Sequence, residues 1–208
     1  MNRRNGYALS RADGFGLGLI ATGAVSIAAA DVVAVVRGAF DVFGADAVVR
    51  MPLTGAEAMD LGAIDGIRGA EPASADVAFD AITAAARWML LLEGALPALA
   101  TIGVCAVAWW LGVSLIRTRP FRTTMSTTIG VAACLVVAGG LFGQLAGAIG
   151  RAMIVDSLAS ADPAIYETFP AFRLDLDLAP LGWGFALALI AMAFAAGNRL
   201  QRETEGLV

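Results

Sequence analysis

The segment Thr127–Gly150, TTIGVAACLVVAGGLFGQLAGAIG, runs for 24 residues without a charged side chain. A helix needs about 20 mostly apolar residues to cross the hydrocarbon core of a bilayer. Three other segments are comparably apolar, at residues 14–36, 88–116 and 181–196. The mean hydropathy of +0.76, with only 15% charged residues, excludes an ordinary water-soluble domain. The sequence therefore predicts an all-α integral membrane protein, an antiparallel bundle of four transmembrane helices.

The composition also excludes several classes of function. All 14 basic residues are Arg and His is absent, so the chain has no imidazole to serve as general base or metal ligand. A net charge of -4 argues against direct binding of nucleic acid, which requires a basic surface. The sequence contains no phosphate-binding loop and no nucleophile motif. We therefore expect a protein that is not an enzyme and that carries no cofactor.

The two cysteines, Cys105 and Cys134, lie inside apolar segments and match neither a disulfide framework nor a four-ligand zinc site. Each is twelve residues from the charged link at 117–122. If the helices flanking this link are antiparallel neighbours, the two thiols lie at similar depth. A redox pair would also require the thiols to face each other, and the spacing leaves that open.

The distribution of charge orients the predicted spans. The outer loops 37–87 and 151–179 carry thirteen acids against six Arg. The tails and the link 117–122 are instead rich in Arg, at Arg3, Arg4, Arg11, Arg117, Arg119, Arg122, Arg199 and Arg202. Short Arg-rich segments stay in the cytoplasm. We therefore expect a multi-pass protein of the bacterial cytoplasmic membrane with both termini, the link and the tail 197–208 on the cytoplasmic side.

The N-terminal segment has an alternative interpretation. A basic start, an apolar stretch and Ala28-Ala29-Ala30 before Asp31 together have the features of a cleavable signal peptide. The apolar stretch resumes beyond Asp31, however, and the whole segment 14–36 is long enough to remain as a span.

The outer loops predict a small β-sheet cap. The segment Phe172–Leu178, FRLDLDL, alternates apolar and charged residues with the period of a strand. Its predicted partner is Ala47–Leu53, because a lone strand leaves its backbone groups unpaired. The Ala-rich segment Ser74–Arg87 predicts an outward extension of the second helix, and the Gly-containing segment Leu61–Ala70 predicts a loop.

Three polar side chains inside the spans form a candidate intramembrane site: Asp31, Glu93 and Gln144. An unpaired acid at the centre of a bilayer costs at least about 2.5 kcal/mol. Both acids lie toward the outer ends of their spans, near Arg37 and Arg87. They either pair with such interfacial arginines or reach outer water, or they form a proton or cation site. We expect Gln144 to form a hydrogen bond between helices.

Small residues recur every four positions along two spans, a spacing that lets membrane helices approach closely. In the first span the stripe begins with Gly14 and Gly18, and in the third it consists of Gly139, Gly143 and Gly147. We expect these stripes to pack within one bundle. The alternative is a glycine-lined pore or a seam between copies of the chain.

The cytoplasmic side offers a candidate docking surface. The link carries Arg117, Arg119 and Arg122 without an acid, and the tail carries Glu203 and Glu205. The tail acids either remain solvated, bind the arginines of the link, or bind a partner.

The link RTRPF and the terminus GNRLQRETEGLV resemble a family of small bacterial membrane proteins known as domain of unknown function 2975. The matching residues are Pro120, Phe121, Leu200, Gln201, Glu203, Glu205, Gly206, Leu207 and Val208. The resemblance implies a four-span integral protein, often encoded beside a small helix-turn-helix regulator, and hence a cytoplasmic protein partner. The long outer loop 37–87 departs from the shorter members of that family.

Two functions remain open at this stage. The first is a non-catalytic protein that senses or anchors, or that acts as a regulatory partner, with polar segments on both sides of the membrane. The alternative is a small transporter or channel subunit that acts as a homo-oligomer, because four spans form only a narrow bundle.

Overall fold

The computed structural model describes residues 11–44, 47–54, 72–116 and 123–205. These residues form four long helices, one helical turn and two short strands. In chain order the elements are α1 Arg11–Phe43, β1 Ala47–Pro52, β2 Ser74–Phe79, α2 Ala84–Ile116, α3 Thr123–Ala159, α4 Ile165–Thr168 and α5 Ala179–Glu205. The prediction of four long helices with a small sheet is confirmed.

Each long helix contains a segment that is long and apolar enough to cross a membrane: Gly18–Phe43, Ala84–Val113, Ser126–Ala159 and Ala179–Gly197. Most of these span ends lie beyond the predicted ones. The largest difference is at the end of the third span, which is nine residues later than predicted. Most of this apolar surface is not covered within the chain, since between 6% and 33% of the apolar segment of each helix is buried. Exposed apolar surface of this extent is what lipid covers in a multi-pass membrane protein.

The sheet forms with a partner other than the predicted one. Strand β1 pairs with β2 in antiparallel register, so that Val49 lies opposite Val77 and Arg50 lies opposite Asp76. The segment Phe172–Leu178 has no regular secondary structure and is exposed along its whole length. The prediction that it pairs with β1 is wrong, because alternation describes a strand-like segment but does not select its partner.

The helix predicted over Ser74–Arg87 is also wrong in its first half. Ala75, Val77 and Phe79 lie on the more buried side of β2, and the residues between them are exposed. Helix α2 begins only at Ala84, where the hydroxyl of Thr83 accepts a hydrogen bond from the backbone N–H of Ala86 at 3.4 Å. Thr83 therefore caps the helix in the usual way for a threonine at this position.

Three predicted segments lie partly or wholly outside the described residues. The loop Leu61–Ala70 and the link 117–122 are outside them, as are residues 206–208 of the tail.

The chain forms two compact units. The helical unit comprises Met1–Val33, Pro97–Gly140 and Leu178–Val208, and the sheet unit comprises Ala34–Leu96 and Leu141–Asp177. The sheet unit has an apolar core that joins the inner face of the sheet to two helices, with Val49, Met51, Phe79, Ala86, Leu90, Ile154 and Val155 buried.

The helical unit is held by close approach of small residues. A β-carbon added to Gly140 would overlap the ring of Pro180, and one added to Gly184 would overlap the side chain of Val137. Increasing numbers on α3 thus meet decreasing numbers on α5, so these two helices run antiparallel. Such close approach of two helices at glycine residues is the usual packing of helices in a bilayer.

In α1 the packed face differs from the predicted stripe. Ala21, Ala24, Ala28 and Asp31 are buried or half-buried in the helical unit, with spacings of three and four residues. Gly18 is exposed, and no atom lies within 4 Å of a β-carbon built on it. Repetition every four residues identifies faces that can pack closely, but the neighbouring helix determines which face does.

Candidate functional site

The sheet unit contains an ion pair between two helices. Arg151 of α3 donates from one terminal nitrogen to both carboxylate oxygens of Glu93 in α2, at 2.9 Å each. The side chains are 23% and 37% exposed, so the pair is half-buried and its attraction is only partly screened by solvent. Sequence reasoning pointed to Arg87 as the neighbour of Glu93 and missed Arg151, which was assigned to the outer loop because the third span was expected to end at Gly150.

Glycine makes room for this ion pair. A β-carbon added to Gly147, one turn before Arg151, would overlap the carboxylate of Glu93. A β-carbon on Gly150 would lie 3.1 Å from Cβ of Met89 and 3.2 Å from the backbone nitrogen of Leu90. In the sheet unit, α3 therefore approaches α2 closely along a side that carries no side chains. Gly143 is also buried and Gly139 is half-buried.

The ion pair lines a cavity of about 520 Å³ in the sheet unit. Five charged residues face it: Arg50 from β1, Glu93 from α2, Arg151 from α3, and Arg173 and Asp175 from the segment before α5. Three guanidinium groups against two carboxylates leave one positive charge in excess. The volume is typical of a small-ligand site.

The arginines of this cavity differ in their partners. Arg173 pairs with Asp175 at 3.0 Å, and Arg50 donates its Nε proton to the hydroxyl of Ser74 at 3.0 Å. Within the described part of the chain, Arg50 forms no ion pair closer than 4 Å. Among the described residues, its terminal guanidinium nitrogens are therefore the cationic groups of this cavity that no carboxylate binds.

Arg87 and Gln144 do not line the cavity, and their side chains bind backbone groups of the protein. Arg87 donates to the carbonyl oxygens of Val42 and Gly44 at 2.8 and 3.1 Å, and so binds one carbonyl in the last turn of α1 and one just after it. Gln144 both donates to the carbonyl and accepts from the N–H of Asp177, at 3.0 and 2.6 Å. The expected bond from Gln144 to another helix is thus replaced by a bond to the segment that precedes α5.

Asp31 lies in the helical unit and does not line this cavity. Its Oδ2 is buried and has no hydrogen-bond partner among the described residues. Cys105 of α2 lies close enough to interact with Asp31 and with the backbone of Ala28. The three residues predicted as one intramembrane site therefore fall into different surroundings, with only Glu93 lining the cavity.

The remaining predicted residues have few described contacts. Cys105 is buried, Cys134 is exposed, and both are free thiols. No cluster of metal-ligating residues occurs in the described ranges. Glu203 and Glu205 belong to α5, but their side chains are outside the described set, as are Arg117, Arg119 and Arg122.

No protein-family model, curated protein or solved structure matches this chain. The resemblance to domain of unknown function 2975 stays a prediction that rests on the link and tail residues.

Proposed function

We propose that this chain is a non-catalytic sensor of the bacterial cytoplasmic membrane, which binds a ligand at its outer side and reports that state to a cytoplasmic protein. The observation that carries the proposal is the Glu93–Arg151 ion pair in the wall of the cavity. A ligand that competes for Arg151 would weaken the bond between α2 and α3. The ligand therefore has a physical means of changing the packing of two helices.

The proposed topology is an antiparallel four-helix transmembrane bundle with strands β1 and β2 on the outer side and both termini in the cytoplasm. Trp88 and Trp109 of α2 are exposed and lie 21 residues apart, about 32 Å in a helix. That length matches a hydrocarbon core of about 30 Å with an aromatic residue at each interface. Glu93 then lies about 8 Å inside the outer interface, within reach of the head groups.

Helix α2 offers a route for the signal. Pro97 lies inside the helix and cannot donate a hydrogen bond to the carbonyl of Glu93, one turn earlier. The same residue is the first of the helical unit on α2. Release of Glu93 from Arg151 would free this part of α2, and the missing hydrogen bond at Pro97 is where a helix can bend in response.

The proposed partner binds the cytoplasmic surface made by Arg117, Arg119 and Arg122 of the link with Glu203 and Glu205 of the tail. A small helix-turn-helix regulator is the partner that the family resemblance implies. A surface that carries both signs of charge supports selective binding of a complementary protein.

The test combines crosslinking with two kinds of variant. We expect a partner crosslinked to the full chain in native membranes to be lost when residues 198–208 are deleted, and its yield to change in Glu93→Gln. Val131 is exposed on the surface of α3, so Val131→Ala serves as the matched control. An identical partner set and yield in all variants would contradict the proposal.

The topology is tested separately by labelling single cysteines placed at residues 2 and 207 of a chain carrying Cys105→Ala and Cys134→Ala. Both positions should react with a membrane-impermeant thiol reagent only after the cytoplasmic side is opened. Labelling of either one in intact cells would refute the arrangement.

A second candidate function is a transporter or channel subunit that acts as a homo-oligomer. The buried Oδ2 of Asp31, which has no hydrogen-bond partner in the described part of the chain, favours it, because an intramembrane acid without a partner is typical of a proton or cation path. Ion flux into proteoliposomes that falls in Asp31→Asn but not in Asp175→Asn would support this function over sensing.

A further inference from the structure

We propose that the outer cavity binds the head group of one anionic phospholipid of the outer leaflet, with an acyl chain held between α1 and α2. This inference names the ligand of the proposed sensing site and rests on the proposed topology. Two observations carry it: the excess of guanidinium groups in the cavity, and an apolar cleft that adjoins it and shares two of its lining residues.

The polar half of the site is suited to a phosphate. Arg50, Arg151 and Arg173 enter the cavity from three different elements. The carboxylates of Glu93 and Asp175 are each bound to an arginine, so they do not face an incoming anion unneutralised. Arg50 forms no ion pair in the described ranges, and its planar guanidinium can donate two parallel hydrogen bonds to phosphate oxygens. Asp76, its neighbour across the sheet, does not line the cavity.

The apolar half is a cleft of about 130 Å³ between α1 and α2. Its lining residues are apolar, and two of them, Val42 and Leu90, also line the charged cavity. Two glycines create the gap: no atom lies within 4 Å of a β-carbon built on Gly38 or on Gly94. An apolar cavity of about 150 Å³ holds a benzene-sized group. A cleft of this size therefore holds a short length of acyl chain.

A charged cavity and an apolar cleft that share two wall residues together fit an amphiphile. A soluble phosphate ester would use the arginines but would leave the cleft empty, whereas an acyl chain without charge would leave Arg50 unmatched. A phospholipid uses both, and in the proposed topology the cavity lies at the depth of the outer head groups. An extended peptide added to the free edge of β1 would likewise make no use of the cleft.

The experiment measures lipid retained by the full chain in detergent by native mass spectrometry, with phosphatidylglycerol and phosphatidylcholine as probes. We expect one phosphatidylglycerol to be retained at least about tenfold more strongly than phosphatidylcholine. Arg50→Gln should reduce this preference about tenfold through loss of a charge-assisted bond. Arg50 is exposed, and so is its one described side-chain hydrogen bond, to the hydroxyl of Ser74, so the variant should fold.

The cleft is tested by filling it. Gly94→Leu and Gly38→Leu should each abolish retention of phosphatidylglycerol, while Gly23→Leu should leave it unchanged. Gly23 is the matched control because it also has no atom within 4 Å of a β-carbon, yet it does not line the cleft. Equal effects of all three leucine substitutions would overturn the proposal.

Two further outcomes also overturn it and separate it from the sensing proposal. If glycerol 3-phosphate alone competes and Gly94→Leu has no effect, the ligand is a soluble anion. If neither lipid is preferred but the crosslinked partner still responds to Glu93→Gln, sensing stands and the lipid ligand fails.

Discussion

The contacts inside each of the two units of this protein differ in their chemistry. In the helical unit, α3 and α5 meet where Gly140 faces the ring of Pro180 and Gly184 faces Val137. The sheet unit also has close glycine contacts and an apolar core, but it adds an ion pair, an arginine bound to helix carbonyls and an amide bound to backbone. Close approach of small residues needs no polar partner and suits lipid surroundings. Bonds between charged and polar groups are suited to a region that also admits a polar ligand.

The largest effect is expected where the packing contact is rigid. Gly140→Ala places a methyl group on the Pro180 ring, which cannot rotate away, and should lower the free energy of unfolding by about 2–3 kcal/mol. Gly130→Ala, in the same helix and with no atom within 4 Å, should instead be neutral or gain up to about 1 kcal/mol. Reversible unfolding of the detergent-solubilised chain measures both, and equal values would show that the contact with Pro180 has no energetic weight.

The second-largest effect on the free energy of unfolding is expected at the ion pair of the sheet unit. Glu93→Gln and Arg151→Gln each leave a half-buried charge without its partner, at a cost of about 1–3 kcal/mol after allowance for exposure. The double variant should cost less than the two single costs combined, by about 1 kcal/mol or more. A double-mutant cycle by the same unfolding assay measures this coupling, and strict additivity would exclude a direct interaction.

Gly147→Ala tests how the glycine supports that pair. The added methyl group displaces the Glu93 carboxylate, which is flexible, so the cost should be about 1–2 kcal/mol and should come from the weakened ion pair. In a Glu93→Ala background the same substitution should cost little, since the carboxylate is gone. A cost that persists in this background would place the clash elsewhere.

The smallest effect is expected at Gln144. Gln144→Ala removes two hydrogen bonds to the backbone of Asp177 and should cost about 1 kcal/mol. Because the bonds hold a segment with no regular structure, the change should appear as faster amide exchange at Asp177 and its neighbours. Unaltered exchange there would mean that other contacts hold this segment; Thr22→Ala, whose hydroxyl bonds only within its own helix, is the control.

Hydropathy predicted the four helices because burying apolar residues in lipid depends on length and composition, both of which can be counted. The outer elements were predicted less well. The alternation of Phe172–Leu178 is clearer than that of Ser74–Phe79, yet only the latter pairs with β1. A period-2 signal was present in Ala75, Val77 and Phe79 with Asp76 and Ala78 between them, and the high alanine content concealed it.

The candidate site was likewise predicted only in part from the sequence. The sequence identified Glu93 as an acid that needs a partner, since a charge at that depth is costly. It did not identify Arg151, and it gave no reason to group Arg50 and Arg173 with them, because these residues belong to elements far apart along the chain. A sequence-level signal did exist for Arg151: it directly follows the apolar segment that ends at Gly150, and so lies near the depth of Glu93.

The sequence by itself determined the number of long apolar helices and the residues whose burial requires compensation. These properties follow from the transfer of side chains out of water, which is local to each segment. Only the tertiary structure decided which faces pack, which strand pairs with β1 and which arginine binds Glu93. Those outcomes depend on free energies of contact between distant segments, where a one-residue change of register or a small rotation of a helix exchanges one set of neighbours for another.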